Sequence, residues 1–432
     1  MEIALNQNQI TDKGIAINSL IVVILFSAFS TQNFFMIHKA SATEYALKPL
    51  TSANLILDKE KKKEKEETKK IDIAKESQKW EAGIRNRYKY GQIKTVDEGI
   101  KHISITKYIN NRPVRINVVE INKTINPNIN FSPALATQNK LATKSSIKKI
   151  AQENNSIIAI NGSFFKPQNG IPLGSLMIDG KLLTGPMYNR VALGIFEDDL
   201  KIERVELNAF VQAKNYTLAI DNVNQPRMLS TYVLAYTSEW GEFAPPSPQY
   251  GMQVAIKDGK IINASVDRLS IPKDGYVIVG PKDKLKDLAE QKKVEVKLNT
   301  NPNWDGVKHI ISGGPYLIKN GEVYVDTAAE KLNAITGRNP RTAMGITADK
   351  NLVLVTVDGR EENSVGMTLN ELASVMKSIG CVEGMYLDGG GSSVIYINGS
   401  IVNNPSIKGG IAISNAFTVS VKNERISYTE EK

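Results

Sequence analysis

Residues 386–396 read YLDGGGSSVIY, and the rest of the chain is organised around this stretch. An apolar run that favours a β-strand brings Asp388 to its end, and a second β-prone run resumes after three glycines and two serines. Glycine permits positive φ angles and lets another group approach the main chain closely. Three in a row cost more chain entropy than a two-residue hairpin turn requires. The pattern therefore predicts either a carboxylate beside exposed N–H groups, which suits an anionic or polyhydroxylated ligand, or a flexible hairpin tip.

Similar polar or glycine-rich turns stand at the ends of other β-prone runs: Asn161-Gly162, Gly313-Gly314, Arg341-Thr342 and Asp358-Gly359-Arg360. Polar groups at several strand ends are how a rigid scaffold positions a site. If these turns converge, the site holds two carboxylates, two guanidinium groups, an amide and several backbone N–H groups. A single Asp or Arg at such a turn is more often a turn residue or a surface ion-pair partner, so the prediction depends on convergence.

Two carboxylates, Asp358 and Asp388, fit hydrolysis at an anomeric carbon, one as acid and the other as base or nucleophile. Arg341 and Arg360 add bidentate recognition of a phosphate or carboxylate. A phosphate-ester leaving group departs with little need for protonation, because guanidinium and main-chain N–H groups can stabilise its developing charge. If the leaving group is a phosphate ester, the pattern therefore needs no histidine acid.

Composition excludes several other classes of protein. The 432 residues carry a formal charge of +9, but lysine and glutamate alternate and no basic patch is interleaved with aromatics, so nucleic-acid binding is not expected. Cys381 is the single cysteine, which excludes an intramolecular disulfide and a thiolate zinc cluster. The three histidines exclude a histidine-rich metal centre. These absences direct attention to the carboxylates.

The N-terminal region predicts export. Residues 15–29 form an apolar run, and Ala40-Ser41-Ala42 offers a small-x-small cleavage site, so residues 1–42 are a signal peptide or a retained membrane anchor. Membrane contact is expected only through this segment, if it is uncleaved. Residues 43–97 are predicted to be a spacer, because residues 58–70 read DKEKKKEKEETKK without apolar periodicity.

The remaining pattern predicts an α+β fold: one mixed-sheet catalytic domain with flanking helices over residues 98–422, followed by a tail, 423–432. Strands are predicted at 102–108 and 114–121, and helices at 144–154 and 282–292. Thr368 is predicted to cap a further helix, with Glu371 completing a capping box and Gly380 ending it. Thr143 or Ser145 is the expected cap of the helix at 144–154.

Five motifs occur in an order that resembles the phosphodiester glycosidase family: NGSFF from Asn161, ISGGPYL from Ile311, NPRTAMGI from Asn339, VTVDGR from Val355 and YLDGGGSS from Tyr386. The resemblance covers roughly residues 102–422. It implies an exported glycosidase that hydrolyses a sugar-1-phosphodiester of the N-acetylglucosamine-1-phosphate type, in envelope or extracellular glycoconjugates. Ser163 stands where members of the family often have glycine, which is a mild departure.

The matching motifs carry site residues over to this chain. On these residues we hypothesise that Asp388 and Asp358 are the catalytic pair, that Arg341 and Arg360 hold the phosphodiester, and that Asn161 with the amides after Ser312 holds the sugar. The full predicted substrate-binding set is Asn161, Gly162, Gly313, Gly314, Arg341, Thr342, Arg360, Gly389, Gly390, Gly391 and Ser392. The partner is a glycan or sugar phosphate, and no cofactor is expected.

Two alternatives stay open on the same residues. One is a non-catalytic glycan-binding envelope protein that uses the same pocket. The other is a metal-dependent phosphodiesterase, in which Asp358 and Asp388 bind Ca²⁺ or Mg²⁺, since both ions prefer oxygen ligands.

Overall fold

The computed structural model describes residues 47–422 of the chain. The predicted export segment, residues 1–42, and the predicted tail, residues 423–432, lie outside the described residues. The chain divides into two units, residues 1–66 and residues 67–432. The described part of the first unit is helical. Within residues 47–422, no helix is both long and apolar enough to cross a membrane.

Four α-helices and two short 3-10 helices occur in the described residues. The α-helices are α1 (Leu47–Arg87), α2 (Ile147–Glu153), α3 (Lys282–Ala289) and α4 (Leu369–Ser378). The 3-10 helices are Asn333–Ile335 and Gly390–Ser392.

Strands make up most of the fold. The first half of the chain contains β1 (Gln92–Asp97), β2 (Ile100–Ile109), β3 (Arg112–Ile121), β4 (Ile129–Leu135), β5 (Ile158–Asn161), β6 (Leu176–Ile178), β7 (Lys181–Thr184), β8 (Val191–Ile195), β9 (Leu200–Arg204), β10 (Glu206–Ala213), β11 (Tyr216–Ala219), β12 (Asn222–Val223) and β13 (Leu234–Tyr236). The second half contains β14 (Gly251–Lys257), β15 (Lys260–Ser265), β16 (Tyr276–Pro281), β17 (Glu295–Asn301), β18 (His309–Ser312), β19 (Tyr316–Lys319), β20 (Glu322–Val323), β21 (Arg341–Thr347), β22 (Leu352–Val357), β23 (Cys381–Tyr386), β24 (Ile395–Ile397), β25 (Ser400–Ile401) and β26 (Asn415–Val421).

These strands form five sheets. The largest has eight strands in the order β1-β2-β3-β22-β21-β23-β19-β20. Three five-stranded sheets have the orders β12-β13-β16-β14-β15, β7-β6-β18-β8-β9 and β25-β24-β5-β26-β4, and a three-stranded sheet has the order β11-β10-β17. Neighbouring strands pair antiparallel, except that β12 pairs with β13 in parallel. The order joins strands that are far apart along the chain, such as β3 and β22.

The eight-stranded sheet is covered on both faces, because its strands alternate between two cores. On β3, Val118 enters a core that also holds Trp80, Ile84 and the buried side chains of α4. The adjacent Val119 enters the opposite core, shared with the sheets that contain β5 and β8. A strand buried on both faces reads as a continuous apolar run, as residues 352–355 do.

The predicted helices are present, with differences at their ends. Thr368 and Glu371 form the predicted capping box of α4, and Gly380 follows its last turn with a φ of 93°. The cap of α2 is Ser146 rather than Thr143 or Ser145, and its side chain accepts a bond from the Lys149 amide. Helix α3 ends at Ala289, before the predicted residue 292.

Two predictions about the architecture require correction. Strands in five sheets dominate, so the predicted single mixed sheet is wrong. Strand-like runs show where strands lie but not which strands pair. The folded body also begins before residue 98, because β1 pairs with β2 and because Trp80, Ile84 and Tyr88 are buried in the core. The charged residues at 58–70 indicate a spacer but do not show where it ends, so the predicted spacer extends too far along the chain.

Candidate active site

The turn after β23 holds the Asp388 carboxylate in place with its own donors. The Gly389 amide donates to Asp388 Oδ1 at 3.0 Å, and the Ser392 hydroxyl donates to Oδ2 at 2.6 Å. Asp388 is partly exposed, but protein surrounds most of it. The resulting loss of hydration raises the pKa of Asp388 to about 6. The two hydrogen bonds and the charge of Arg190 act in the opposite direction. Asp388 therefore exchanges a proton near neutral pH.

The glycines of this turn serve close packing. A Cβ on Gly389 would lie 1.7 Å from the Tyr386 hydroxyl, and Gly390 has a φ of 60°. The turn is therefore a built structure and not the flexible hairpin tip considered from the sequence. The Gly390 amide donates to the Pro340 carbonyl at 3.0 Å, so this N–H binds protein.

The Asn161 side chain holds the acidic turn in place through three hydrogen bonds, which we call the Asn161 bracket. Its Nδ2 donates to the Asp388 carbonyl at 2.7 Å, and its Oδ1 accepts bonds from the Thr342 hydroxyl at 2.8 Å and the Val394 amide at 3.1 Å. Gly162 completes the bracket, because its carbonyl accepts the Asp388 amide at 3.2 Å. The side chains of Asn161 and Thr342 are buried and hydrogen-bonded within the protein, and their predicted direct contact with substrate stays a prediction. In this structure they position Asp388.

Arg341 is bonded to protein groups in this structure, and its predicted phosphate contact stays a prediction. Its side chain is 0% exposed, and its guanidinium donates to the Met367 carbonyl, the Ile335 carbonyl and the Tyr386 hydroxyl at 2.8, 2.8 and 3.1 Å. A further bond reaches the Gly337 carbonyl. Arg341 thus ties the loop before β21 to Tyr386, which precedes the acidic turn by two residues.

The amides of Gly313 and Gly314 do not face a sugar. They donate to the Val191 and Tyr386 carbonyls at 2.9 and 2.7 Å. A Cβ on Gly313 would lie 2.1 Å from the Tyr386 carbonyl oxygen, and one on Gly314 would lie 2.2 Å from Glu330 Oε2. Gly313 lets the chain after β18 approach β23, and Gly314 leaves room for the Glu330 carboxylate, which explains the motif by packing.

The Asp358 carboxylate is buried at 3% exposure, and its contacts differ from those of Asp388. Its Oδ1 accepts from Asn403 Nδ2 at 3.1 Å and the Asn404 amide at 3.0 Å, and Arg115 Nε lies 3.4 Å from Oδ2. Burial raises the pKa of Asp358 above its ordinary value. Within residues 47–422, no hydrogen bond joins the two carboxylates. Their predicted action as a catalytic pair therefore stays a prediction.

Arg360 lies beside the acidic turn and is exposed. Its Nε and Nη2 donate to Asn339 Oδ1 at 3.2 and 3.0 Å, and Nη2 would lie 3.0 Å from a Cβ on Gly390. Of the two predicted phosphate-binding arginines, Arg360 is thus the one placed to meet a ligand at this turn.

Sequence reasoning missed Arg190, the second guanidinium at the site. It lies 4.9 Å from the Phe164 ring centroid and 5.5 Å from that of Tyr188, and its charge lowers the pKa of Asp388. Tyr188 and Asn189 both have a φ of 53°, an unusual pair of left-handed residues that turns the chain into β8. The local signal is the MYNR stretch, but nothing in it indicates proximity to a residue almost 200 positions later.

The arrangement can move a proton and bind an anion. Asp388 supplies a carboxyl that titrates near pH 6, and Arg190 and Arg360 supply positive charge on its surroundings. Among the described residues, no group of three or more His, Cys, Asp or Glu side chains has the arrangement of a metal site. The expectation that no cofactor is needed stays a prediction.

Comparison with known proteins agrees with the motif order. Residues 241–420 match the family model described as phosphodiester glycosidase. This region contains Arg341, Asp358 and Asp388, whereas Asn161 and Arg190 lie before it.

Curated relatives are similar over part of the chain. The SPbeta prophage-derived protein YomE of Bacillus subtilis (strain 168) is 36% identical over 120 residues, which are 27% of this chain and 18% of YomE. The N-acetylglucosamine-1-phosphodiester alpha-N-acetylglucosaminidase of Mus musculus is 26% identical over 166 residues, 35% of this chain and 29% of the mouse protein. The Bos taurus protein of the same name is 35% identical over 108 residues, 22% of this chain and 20% of that protein. The matches span less than a third of each relative.

Solved structures share the fold. A protein from Synechocystis has a TM-score of 0.71 at 22% identity, covering 77% of this chain and 64% of that chain. A protein from Burkholderia pseudomallei K96243 has a TM-score of 0.61 at 20% identity, covering 72% and 74%. The match of residues 241–420 to the family model and the similarity to the curated relatives confirm the resemblance to the phosphodiester glycosidase family that the motifs indicate.

Proposed function

We propose that this protein hydrolyses the bond between an anomeric carbon and a phosphate oxygen in a sugar-1-phosphodiester. The observation that carries the proposal is Asp388, a carboxyl with a pKa of about 6 at a strand end beside Arg190. The family match over residues 241–420 and the likeness to the mouse N-acetylglucosamine-1-phosphodiester alpha-N-acetylglucosaminidase support the same chemistry.

In the proposed reaction, the C1–O bond breaks and water adds to C1. The phosphate leaves as a monoester anion, which needs little protonation, so the main demand is to remove a proton from water. The Asp388 carboxylate accepts that proton, and the exposed guanidinium group of Arg360 stabilises the charge that develops on the departing phosphate, while buried Arg190 supplies positive charge near Asp388. Asp358 enters the proposal as the second carboxylate predicted from the sequence.

The direct test is to incubate the purified chain with an N-acetylglucosamine-1-phosphodiester in ¹⁸O water and to identify the products. We expect free N-acetylglucosamine that carries the label, because water attacks C1. Label in the phosphate would instead support a phosphodiesterase, and saturable binding without product would support a glycan-binding protein. Loss of activity in chelator would add a metal to the mechanism.

Asp358→Asn measures the part played by the second carboxylate. The neutral amide keeps an oxygen for Asn404 but loses the charge that faces Arg115. A fall in turnover as large as that of Asp388→Asn would support a catalytic pair. A small fall accompanied by lower stability would assign Asp358 a structural role.

The substrate's location is also part of the proposal. We infer an exported protein that acts on a glycan phosphate of the envelope or of extracellular glycoconjugates, on the strength of the apolar run 15–29 and the small residues at 40–42. Fractionation of cells that express the full chain, with N-terminal sequencing of the product, tests both export and cleavage. Full-length protein in the cytoplasm would contradict it.

A further inference from the structure

A polar groove lies beside the candidate site, and apart from Asp358 its lining residues take no part in the mechanism above. A cavity of about 590 Å³ lies between β1, β2 and β3 and the segment that contains Asn403 and Asn404. A second cavity of about 400 Å³ shares Ser104 and Val402 with the first, so the two form one groove. Together the two cavities offer more volume than a single sugar ring fills.

A row of polar residues starts at the floor of the groove and crosses the eight-stranded sheet. The row consists of direct cross-strand partners, which project from one face of a sheet: Gln92, Ser104, Asn117, Thr356 and Thr342. Its neighbours on the same face, such as Val119 and Leu354, belong to the apolar core. The row ends at Thr342, the residue that holds the Asn161 bracket. It therefore links the groove to the acidic turn.

One wall of the groove lies between the groove and the acidic turn and contacts both. Asp358 and Asn403 line the groove, and Asn403 Nδ2 donates to the Ser393 carbonyl at 3.2 Å. Ser393 follows Ser392, whose hydroxyl binds Asp388. On the other side, Arg360 follows Asp358 by two residues and lies against Gly390. A chain of sugars in the groove would thus lie next to the proposed reaction centre.

The groove offers the groups that bind sugars. Amides and hydroxyls line it, and buried Arg115 Nε has no hydrogen-bond partner, although it lies 3.4 Å from Asp358 Oδ2. Tyr90 lines the groove with 95% of its surface exposed, so its ring is free to pack on a sugar face. Gly91 allows this placement, because a Cβ there would lie 2.7 Å from Ile103 Cγ2.

The charges favour a neutral ligand. Arg115 is paired with Asp358 and with Glu361, whose Oε2 lies 2.9 Å from Nη2. His102 lies in the second cavity with its pKa lowered by burial, which favours the uncharged ring. Lys94 is then the one lining cation without an acid partner among the described residues. A polyanion would need several such cations, whereas hydroxyl groups match the amide and hydroxyl lining.

We propose that this groove binds a neutral oligosaccharide segment and holds it beside the acidic turn. In the substrate, that segment would be the glycan that continues from the cleaved sugar phosphate, and this second statement rests on the proposed function. The protein would then act on polymeric glycan phosphates in preference to small sugar phosphodiesters.

Binding to the full chain is measured by calorimetry with linear hexamers of N-acetylglucosamine and of glucose, and with the two monosaccharides. We expect at least one hexamer to bind ten-fold or more tightly than its monosaccharide. Tyr90→Ala should weaken this binding by about 3–10-fold, as expected for loss of one aromatic contact. Gln92→Ala, a second exposed change in the groove, should weaken it in the same direction. Tyr250→Ala is the matched control, because Tyr250 is 84% exposed and does not line either cavity.

Two results would overturn the proposal: no hexamer binding by the unaltered chain, or equal affinities in the Tyr90→Ala and Tyr250→Ala variants. The test is separate from that of the proposed function. Hexamer binding without cleavage of a sugar-1-phosphodiester would support the groove proposal and contradict the proposed hydrolysis. Cleavage without hexamer binding would support the proposed hydrolysis and contradict the groove proposal.

Discussion

At the residue scale, Asp388 is subject to opposing influences on its protonation. Surrounding protein raises its pKa to about 6, while Ser392, Gly389 and Arg190 favour the charged form. A carboxyl left at its ordinary pKa would be a weaker base at neutral pH, because its proton affinity would be lower. The position of Asp388 thus strengthens it as a proton acceptor.

Asp388→Asn should reduce kcat on an N-acetylglucosamine-1-phosphodiester by at least about 10²–10⁴-fold, because the amide cannot accept the proton from water. Turnover is measured by the N-acetylglucosamine released. Asp305→Asn, at an exposed loop position, serves as the control and should leave kcat unchanged. Unchanged kinetics in the Asp388 variant would remove this residue from the chemistry.

The same variant should raise the free energy of unfolding at neutral pH. Since the folded pKa of Asp388 lies above the ordinary 3.8, its contribution to stability is full below pH 4 and is lost as the pH rises through about 6. The variant lacks this loss, so its advantage should grow across that window to at most about 3 kcal/mol. Urea unfolding at pH 4 and pH 7.5 measures the difference.

Arg190→Ala should lower kcat/KM by about 10–100-fold and shift the pH dependence. Activity is expected to rise with pH as Asp388 loses its proton near pH 6. Removing the positive charge raises the pKa of Asp388, so the midpoint should move to higher pH. Exposed Arg112→Ala is the control. A lower kcat/KM with an unchanged midpoint would show that the charge of Arg190 does not alter the pKa of Asp388.

At the scale of elements, strand ends are held together by close backbone contacts. Gly313 lets β18 approach β23, and the Asn161 bracket joins β5 and β21 to the acidic turn. Helix α4 depends on more local features, since its capping box lies within four consecutive residues. The site is thus assembled by packing between elements that are distant in sequence.

Gly313→Ala should lower the free energy of unfolding by about 2–4 kcal/mol, because its Cβ would lie 2.1 Å from a backbone oxygen that cannot move alone. Gly337→Ala is the matched control, since no atom lies within 4 Å of its added Cβ. The control should change stability by less than about 0.5 kcal/mol. Equal unfolding midpoints in urea would refute the packing role of Gly313.

At the scale of the whole molecule, a buried acid fixes the end of α1 to the eight-stranded sheet. Glu120, on β3, is 0% exposed and accepts bonds from Trp80 Nε1 at 2.8 Å, from Tyr88 at 3.2 Å and from Arg87. Burial raises the pKa of Glu120, and these donors lower it. A buried charge held by three donors couples the helix end to the strand.

Glu120→Ala should lower the free energy of unfolding by about 3–5 kcal/mol, because it leaves Arg87 and two neutral donors without their acceptor. Glu322→Ala, which removes an exposed ion pair with Lys377, should cost less than about 1 kcal/mol. Hydrogen exchange should also speed up in residues 80–88 of the Glu120 variant. Unchanged exchange there would show that the helix end is held by other contacts.

The sequence by itself determined the local features of this protein. The capping box of α4, the strand runs and the glycine-rich turns follow from interactions between near neighbours, whose spacing is visible in the chain. The family motifs likewise identified the acidic turn. Only the tertiary structure decided the use of each polar group, because burial and hydrogen bonding depend on residues hundreds of positions away. Arg341 is therefore a buried tie, Asn161 a bracket, and Arg190 the neighbour of Asp388.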